Sequence, residues 1–403
     1  MTNALPELYL KKNEEKRLRR GHLWVFSNEV DTARSPLTGF DPGQDAVVVD
    51  HRGKALGCAY VNPHSLICAR LVSRDTEHML DESLLVHRLK VALALRQRRY
   101  PEPFYRLVFG ESDGLPGLVV DRFGDVCVAQ INTAGMERAR EALVAALRRV
   151  VAPSYVLLRG DSPMRSLEGL EQYVTWADGE GPDMLTVREA GLTFRAPSVT
   201  GQKTGWYFDH RDNRLRLYPY AREQRVLDLF SYCGAWSTHA LAAGAASVTA
   251  VDSAREPLEM AQDNAVENGF GDRLTALCGD AFEVLEALIA DRERFDLVIA
   301  DPPAFIKRKK DYKQGLTGYR RLNELAMRVL ARDGMLISAS CSAHLPEQDL
   351  VRTMLGAARH QERSMQVVEF GQQAADHPVH AAIPETRYLK TVFARLLPAS
   401  VNP

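Results

Sequence analysis

A chain of 403 residues is long enough for two or three domains at roughly 100–200 residues each. Its 45% hydrophobic and 26% charged residues are ordinary globular values, which excludes disorder, collagen or a coiled coil as the main architecture. With 51 Lys+Arg against 52 Asp+Glu the net charge is −1, so any nucleic-acid contact has to come from a local patch rather than from overall charge.

The six cysteines, Cys58, Cys68, Cys127, Cys233, Cys278 and Cys341, are scattered without a C-x-x-C pair. A zinc site or a disulfide framework is therefore not expected. The N-terminus lacks the apolar segment of a secretory signal. The stretch from Leu229 to Val251, about 23 residues without Lys, Arg, Asp or Glu, has membrane-span length. Ser231, Ser237, Thr238, His239, Gly244, Ser247 and Thr249 interrupt it, and it reads as a buried strand–helix–strand. The expectation is a cytoplasmic protein with no membrane segment.

In chain order, residues 1–74 carry short β runs with turn signals. Ala46–Val49 precedes the turn Asp50-His-Arg-Gly53, and Gly57–Val61 and Leu66–Val72 follow, the pattern of a small β-barrel. Residues 75–187 are mixed. A helix is predicted over Asp81–Arg99, with Leu85, Leu89, Ala92 and Leu93 on one face and Pro101 and Pro103 beyond it. A hairpin pairs Leu118–Val120 with Val126–Ile131 across Phe123-Gly-Asp125, and a second helix covers Met136–Val150. Residues 188–403 alternate strand and helix. The apolar strands are Val226–Phe230, Ser247–Val251, Leu274–Leu277, Phe295–Ala300 and Met335–Ala339, which implies βαβ units and a mainly parallel sheet. Met365–Phe370 and Arg387–Leu397 read as an antiparallel pair at one edge. The fold class is multidomain α/β.

The first strand of that region ends in Asp228-Leu-Phe-Ser-Tyr-Cys-Gly234, just before a helix starting near Ala235. Such strand-to-helix loops bind nucleotides in α/β folds. A single glycine behind a leading acid does not suit a pyrophosphate; it suits a ligand with a cation or an amine. Asp252 closes the second strand, where a carboxylate can hold ribose hydroxyls. Gly279-Asp280-Ala281 follows the third, where an acid can accept from an adenine amine. Any one such acid can equally be a helix cap, but three after successive strands favour a ligand: adenosine joined to a sulfonium or amine, which describes S-adenosylmethionine.

These segments, with Asp301-Pro-Pro303, resemble the successive motifs of class I S-adenosylmethionine-dependent methyltransferases. Gly201-Gln-Lys-Thr-Gly-Trp-Tyr-Phe-Asp-His-Arg-Asp-Asn-Arg214, Gly110-Glu-Ser-Asp-Gly-Leu-Pro-Gly-Leu-Val-Val-Asp-Arg122 and Arg17-Leu-Arg-Arg-Gly-His-Leu-Trp-Val-Phe26 resemble the ribosomal RNA large subunit methyltransferase I (RlmI) family over nearly the whole chain. The resemblance implies an N-terminal PUA-like RNA-binding barrel (1–74), a central α+β domain (75–187) and a Rossmann-like methyltransferase (188–403). It implies formation of 5-methylcytosine in large-subunit ribosomal RNA. Cofactor contacts are expected from Asp228, Phe230, Ser231, Gly234, Asp252, Asp280 and Ala281. The family signature alone adds Tyr207, Phe208, Asp209 and Arg211.

Cytosine C5 is a poor nucleophile until a thiolate adds at C6. Cys341, in Ser340-Cys-Ser342 after a strand beside that of Asp301, is the candidate nucleophile, although a lone cysteine is more often a core residue. An unperturbed thiol, with a pKa near about 8.5, is only a few per cent ionised at neutral pH, so local help is required. Cys233 reads as packing in the cofactor loop. Asp301 is expected to hold the N3/N4 edge of the base, with Pro302, Pro303 and Phe305 shaping the pocket. Amine-methylating relatives carry an aromatic directly after the second proline; here Ala304 intervenes. The base that takes the C5 proton is not identifiable. Lys307, Arg308, Lys309 and Lys310, and Lys11, Lys12, Arg17, Arg19 and Arg20, are expected RNA contacts, against the alternative of solvated charged faces. No metal is expected, and a homodimer is compatible with the sequence. The competing functions are guanine-N7 or exocyclic-amine methylation on the same scaffold, and a non-enzymatic RNA-binding factor.

Overall fold

The computed structural model describes residues 5–399. The chain forms two compact units. One comprises Met1–Leu185 with Pro197–Trp206 and Ala375–Thr386; the other comprises Thr186–Ala196, Tyr207–Ala374 and Arg387–Pro403. Two stretches inside 188–403 thus belong to the first unit.

The first unit holds two five-stranded sheets. In the N-terminal one the spatial order is Glu7–Tyr9, Gln44–Val49, Ala55–Val61, Ile67–Ser73, Trp24–Phe26. A Leu10–Val30 bridge, with Lys11 N–H donating to Glu29 O and Asp31 N–H to Tyr9 O, joins the chain just beyond the two edges. Leu8, Leu10, Val25, Ala46, Val48, Ala59, Val61 and Leu71 fill the interior. The second sheet runs Val174–Trp176, Tyr155–Arg159, Val126–Ile131, Leu118–Phe123, Phe104–Phe109. The expected hairpin is present and longer, its register closing at Phe123 opposite Val126. The expected long helix spans Glu82–Arg99, and the Asp81 carboxylate accepts from Leu84 N–H at 2.8 Å as its cap. The helix expected over 136–150 is two pieces, Ala134–Arg138 and Arg140–Val150, meeting at Ala139.

The second unit is built on a seven-stranded sheet. Its strands, labelled here in chain order, are β1 (Arg225–Leu229), β2 (Ser247–Asp252), β3 (Leu274–Cys278), β4 (Phe295–Ala300), β5 (Leu330–Ser340), β6 (Arg363–Gln372) and β7 (Lys390–Pro398). The spatial order is β3-β2-β1-β4-β5-β7-β6. All pairings are parallel except β5 with β7 and β6 with β7, which are antiparallel. Two short helices, Arg211–Arg216 and Tyr218–Ala221, precede β1; the longer helices are labelled α1 (Ala235–Ala242), α2 (Arg255–Glu267), α3 (Ala281–Ala290), α4 (Tyr312–Val329) and α5 (Glu347–His360).

Two-residue alternation sorts the strand residues into two cores. Leu227, Leu229, Val298, Ala300, Leu336, Val392 and Ala394 pack with Leu322, Leu325 and Ala326 of α4 and Leu350, Met354 and Ala357 of α5. Val226, Leu297, Ile299, Ile337 and Phe393 face the other way, toward Trp236, Ala240 and Leu241 of α1 and Leu258 of α2. Both faces are covered over the central strands β1 and β4, which read as buried runs, whereas the edge strands β3 and β6 keep exposed residues. The uncharged stretch Leu229–Val251 is the end of β1, a loop, α1 and most of β2. No helix among the described residues is long and apolar enough to cross a membrane.

Candidate active site

The parallel register aligns Leu229 with Ala300 and Ala300 with Ser338. The loops after β1, β4 and β5 therefore leave the same edge of the sheet, the edge where α/β folds bind ligands.

The loop after β1 is sharply coiled. Phe230, Tyr232 and Gly234 have φ of 63°, 48° and 76°, a left-handed conformation that costs the non-glycine residues of order 1–3 kcal/mol each. Fixed partners hold it: Ser231 N–H donates to Val251 O, Gly234 N–H to Ser231 O, and Asn264 Nδ2 to Cys233 O. At Gly234 a Cβ would lie 2.7 Å from that of Ala261, so α2 approaches the loop closely only because no side chain stands there. Asp228 is fully buried. Ser237 Oγ donates to its Oδ2 at 2.6 Å, while its Oδ1 and the buried Ser231 Oγ have no partner among the described residues. Burial, with Asp301 and Asp252 adding to it, pushes the Asp228 carboxyl up to about 7. Two orphaned acceptors in a glycine-backed loop suit a ligand that brings an ammonium or hydroxyl donor.

Asp252 is half-buried and accepts from Tyr232 N–H on Oδ2 (2.9 Å) and Ala254 N–H on Oδ1 (3.0 Å). It is the strut of the loop, and each oxygen keeps a further lone pair. Asp280 is exposed, and its Oδ1 caps α3 through Phe282 and Glu283 N–H, with Ala281 buried behind it. Cys233 is buried, and burial pushes its thiol up to about 12, the behaviour of a packing residue.

The Tyr207–Arg211 segment divides by role. Phe208 is fully buried. Asp209 accepts from Tyr388 Oη at 2.5 Å. The Arg211 guanidinium lies over the Phe208 ring, its Nε 3.6 Å from Glu189 Oε2. Glu189 is itself clamped by Arg214 at 2.6 and 2.8 Å. The Tyr207 ring meets that of Tyr232 edge-on at 5.5 Å. His210, which sequence reasoning missed, reaches the sheet edge, with Nε2 3.2 Å from Asp301 Oδ2. Asn213 Nδ2 faces His210 Nδ1 at 3.2 Å. An amide nitrogen can only donate, so Nδ1 accepts and Nε2 carries the hydrogen toward Asp301. Trp236 Nε1, also missed, donates to the same Oδ2 at 3.2 Å. Asp301 is thus fixed through one oxygen, and its Oδ1 accepts no hydrogen bond from the described residues.

Beyond it Pro302 is buried and Pro303 exposed. Phe305 turns inward against Tyr319 (4.8 Å) and Phe282 (6.4 Å). Ile306 N–H donates to Ser342 Oγ, and Tyr319 Oη bonds Ser340 Oγ at 2.8 Å and Ser342 Oγ at 2.9 Å. This buried cluster ties the loop after β4 to the loop after β5. Ser340 and Ser342 are buried, and Cys341 between them is half-buried. Lys390, the first residue of β7, stands opposite Ser340 and donates to Ser342 O at 2.6 Å. It too was absent from the sequence reading.

The basic runs differ in their partners. Lys307, Lys309 and Lys310 are exposed with no carboxylate partner among the described residues, and Arg308 pairs with Asp311 at 3.2 Å. In the N-terminal run Arg17 is held by both oxygens of Glu29, Arg19 by Asp50 at 2.7 Å, and Lys11 donates to Asn28 O. Lys12 and Arg20 are exposed and have no such partner among the described residues.

Residues 8–74 match the PUA-like domain family, and residues 142–379 the S-adenosylmethionine-dependent methyltransferase family. The ribosomal RNA large subunit methyltransferase I of Erwinia tasmaniensis is 37% identical over 97% of this chain and 99% of its own length; that of Klebsiella pneumoniae is 36% identical over 98% and 100%. Two solved structures share the fold over 97% of this chain and 100% of theirs. One is complexed with SAH (TM-score 0.82, 21% identity) and the other is from Streptococcus mutans (0.81, 20%). S-adenosylmethionine carries an ammonium, a sulfonium and two ribose hydroxyls, and the orphaned Asp228 Oδ1 and Ser231 Oγ fit such donors. On near full-length identity and matching domains, the chain belongs to the ribosomal RNA large subunit methyltransferase I family, whose members use S-adenosylmethionine.

Proposed function

We propose that this protein forms 5-methylcytosine in large-subunit ribosomal RNA, in the cytoplasm, as a monomer or a homodimer. In this reading residues 1–74 bind RNA, 75–187 form the central domain and 188–403 carry the chemistry. The observation that carries it is a half-buried cysteine, Cys341, on a loop stitched by Tyr319 and Ser342 to the loop of a carboxylate fixed through one oxygen, Asp301.

S-adenosylmethionine, when bound, supplies an electrophilic methyl group. Asp228, Ser231 and Asp252 would hold it, with Phe230 and Gly234 shaping the loop and Asp280 and Ala281 flanking the adenine side. Asp301 Oδ1 accepts from the cytosine amine, while His210 and Trp236 keep that carboxylate oriented. The Cys341 thiolate adds to C6, which makes C5 enamine-like and able to take the methyl group. Loss of the C5 proton then expels the thiolate. Inward packing of Phe305 on Tyr319, with Ala304 between it and Pro303, supports C5 over an exocyclic amine. Lys12, Arg20, Lys307, Lys309 and Lys310 are the cations available for phosphate. Arg17 and Arg19 already answer Glu29 and Asp50.

The test is methyl transfer with mapping of the modified nucleotide by mass spectrometry. Cys341→Ala is expected to abolish transfer, since each ~1.4 kcal/mol of barrier is tenfold in rate, while cofactor affinity survives. RNA carrying 5-fluorocytosine should trap a covalent adduct with the wild type and with Cys233→Ala, and none with Cys341→Ala. Near-normal methylation by Cys341→Ala would move the reaction to guanine N7 or an amine. Failure to bind the cofactor at all would leave an RNA-binding factor.

A further inference from the structure

Lys390 is only 5% exposed. Taking an ammonium out of water costs several kcal/mol unless an anion or a full set of acceptors answers it. Among the described residues its one hydrogen-bond acceptor is Ser342 O at 2.6 Å, and no carboxylate lies within 4 Å of it. The nearby ionisable pair, Arg387 and Glu347, is satisfied internally at 3.3 Å. Against burial, which disfavours the Lys390 cation, the neighbour that would favour it most is Cys341 in its ionised form. The placement follows from the sheet: β7 runs antiparallel to β5 with Lys390 opposite Ser340, so its side chain crosses to the loop that carries Cys341.

We infer that Lys390 is a positioning residue whose ammonium, anchored on the Ser342 carbonyl, holds Cys341 as the thiolate. The inference rests on the reading of Cys341 as the attacking thiol. One proton passes from Cys341 Sγ to the neutral Lys390 amine, giving thiolate and ammonium, and no further reactant is needed. Burial lowers the Lys390 ammonium to about 8, close to the roughly 8.5 of an ordinary thiol, so the two groups compete for one proton near neutral pH. The other groups facing the pair are Tyr207 on the loop before Phe208 and Tyr319 on α4. Burial raises both hydroxyls and keeps them neutral over this range. Arg387 and Glu347 contribute opposite charges. The same ammonium keeps the thiolate a good leaving group when C6 is released.

The experiment is the pH dependence of Cys341 alkylation by iodoacetamide in the full-length protein, read on the Cys341 peptide by mass spectrometry. Binding of S-adenosylhomocysteine serves as the check of fold. Lys390→Gln keeps a donor for Ser342 O and removes the charge. It should raise the midpoint by a pH unit or more and slow alkylation at pH 7 about tenfold. Lys390→Arg keeps the charge and should hold the midpoint at or below that of the wild type. A wild-type midpoint in Lys390→Gln would overturn the inference, leaving Lys390 as a hydrogen-bonding strut. A shifted midpoint alongside normal methyl transfer by Cys341→Ala would instead defeat the reading of Cys341 as nucleophile and leave the thiolate pair intact.

Discussion

Replacing Asp228 by Asn tests the buried carboxyl at the base of the cofactor loop. The folded protein moves it from an ordinary 3.8 to about 7, mainly through burial and then through Asp301 and Asp252, against the opposing bond from Ser237. At about 1.4 kcal/mol per tenfold change in proton affinity, this amounts to on the order of 4 kcal/mol. The folded state binds the proton more tightly than the unfolded chain does. The contribution is therefore fully present below about pH 4 and is lost as pH rises through about 7. Asparagine has no such slope. The stability difference between Asp228→Asn and the wild type should move in favour of the variant by about 1.4 kcal/mol per pH unit between pH 4 and 7. The assay is denaturant unfolding without cofactor at several pH values, read on the transition that S-adenosylhomocysteine shifts. Calorimetry supplies a second reading. A ligand donor needs the ionised carboxylate, so wild-type affinity should climb with pH toward 7 and level off, while the variant stays weak and flat. Parallel stability profiles for the two proteins would refute the argument, because the carboxyl would then ionise as it does in water.

Three further outcomes are expected. Asp252→Ala removes charge-assisted acceptors from Tyr232 and Ala254 N–H; it should weaken S-adenosylhomocysteine by on the order of 1.5–3 kcal/mol in calorimetry, and unchanged affinity would show the loop needs no strut. Gly234→Ala forces a Cβ into Ala261 at φ 76°, and thermal unfolding should show a loss of about 1–3 kcal/mol together with weaker cofactor binding. Lys307→Ala with Lys309→Ala and Lys310→Ala should weaken RNA binding and flatten its dependence on salt without touching cofactor affinity; an unchanged slope of log K against log salt would make the run a solvated face.

What the sequence determined by itself was whatever depends on neighbours along the chain. Apolar runs such as Leu297–Ala300 announced strands covered on both faces, since each pleat face needs its own apolar set. The leading acid and single glycine of Asp228–Gly234 announced a cationic or amine-bearing ligand, whereas Asp280, expected on the adenine side, is seen to cap α3, the alternative the sequence left open for any one acid. The final antiparallel pair was legible from two extended runs without a helix between them. The tertiary structure decided which groups face one another across long sequence separations. Arg17 and Arg19, expected to contact RNA, meet Glu29 and Asp50. His210 and Trp236 converge on one oxygen of Asp301 from different elements. Lys390, unremarkable in an apolar terminal strand, is carried to the Cys341 loop by the register of β7 on β5. Such pairings cost desolvation and gain charge-assisted hydrogen bonds only once the sheet has closed; no local propensity encodes them, so the acid and the thiol were visible in the sequence while the groups that orient and charge them were not.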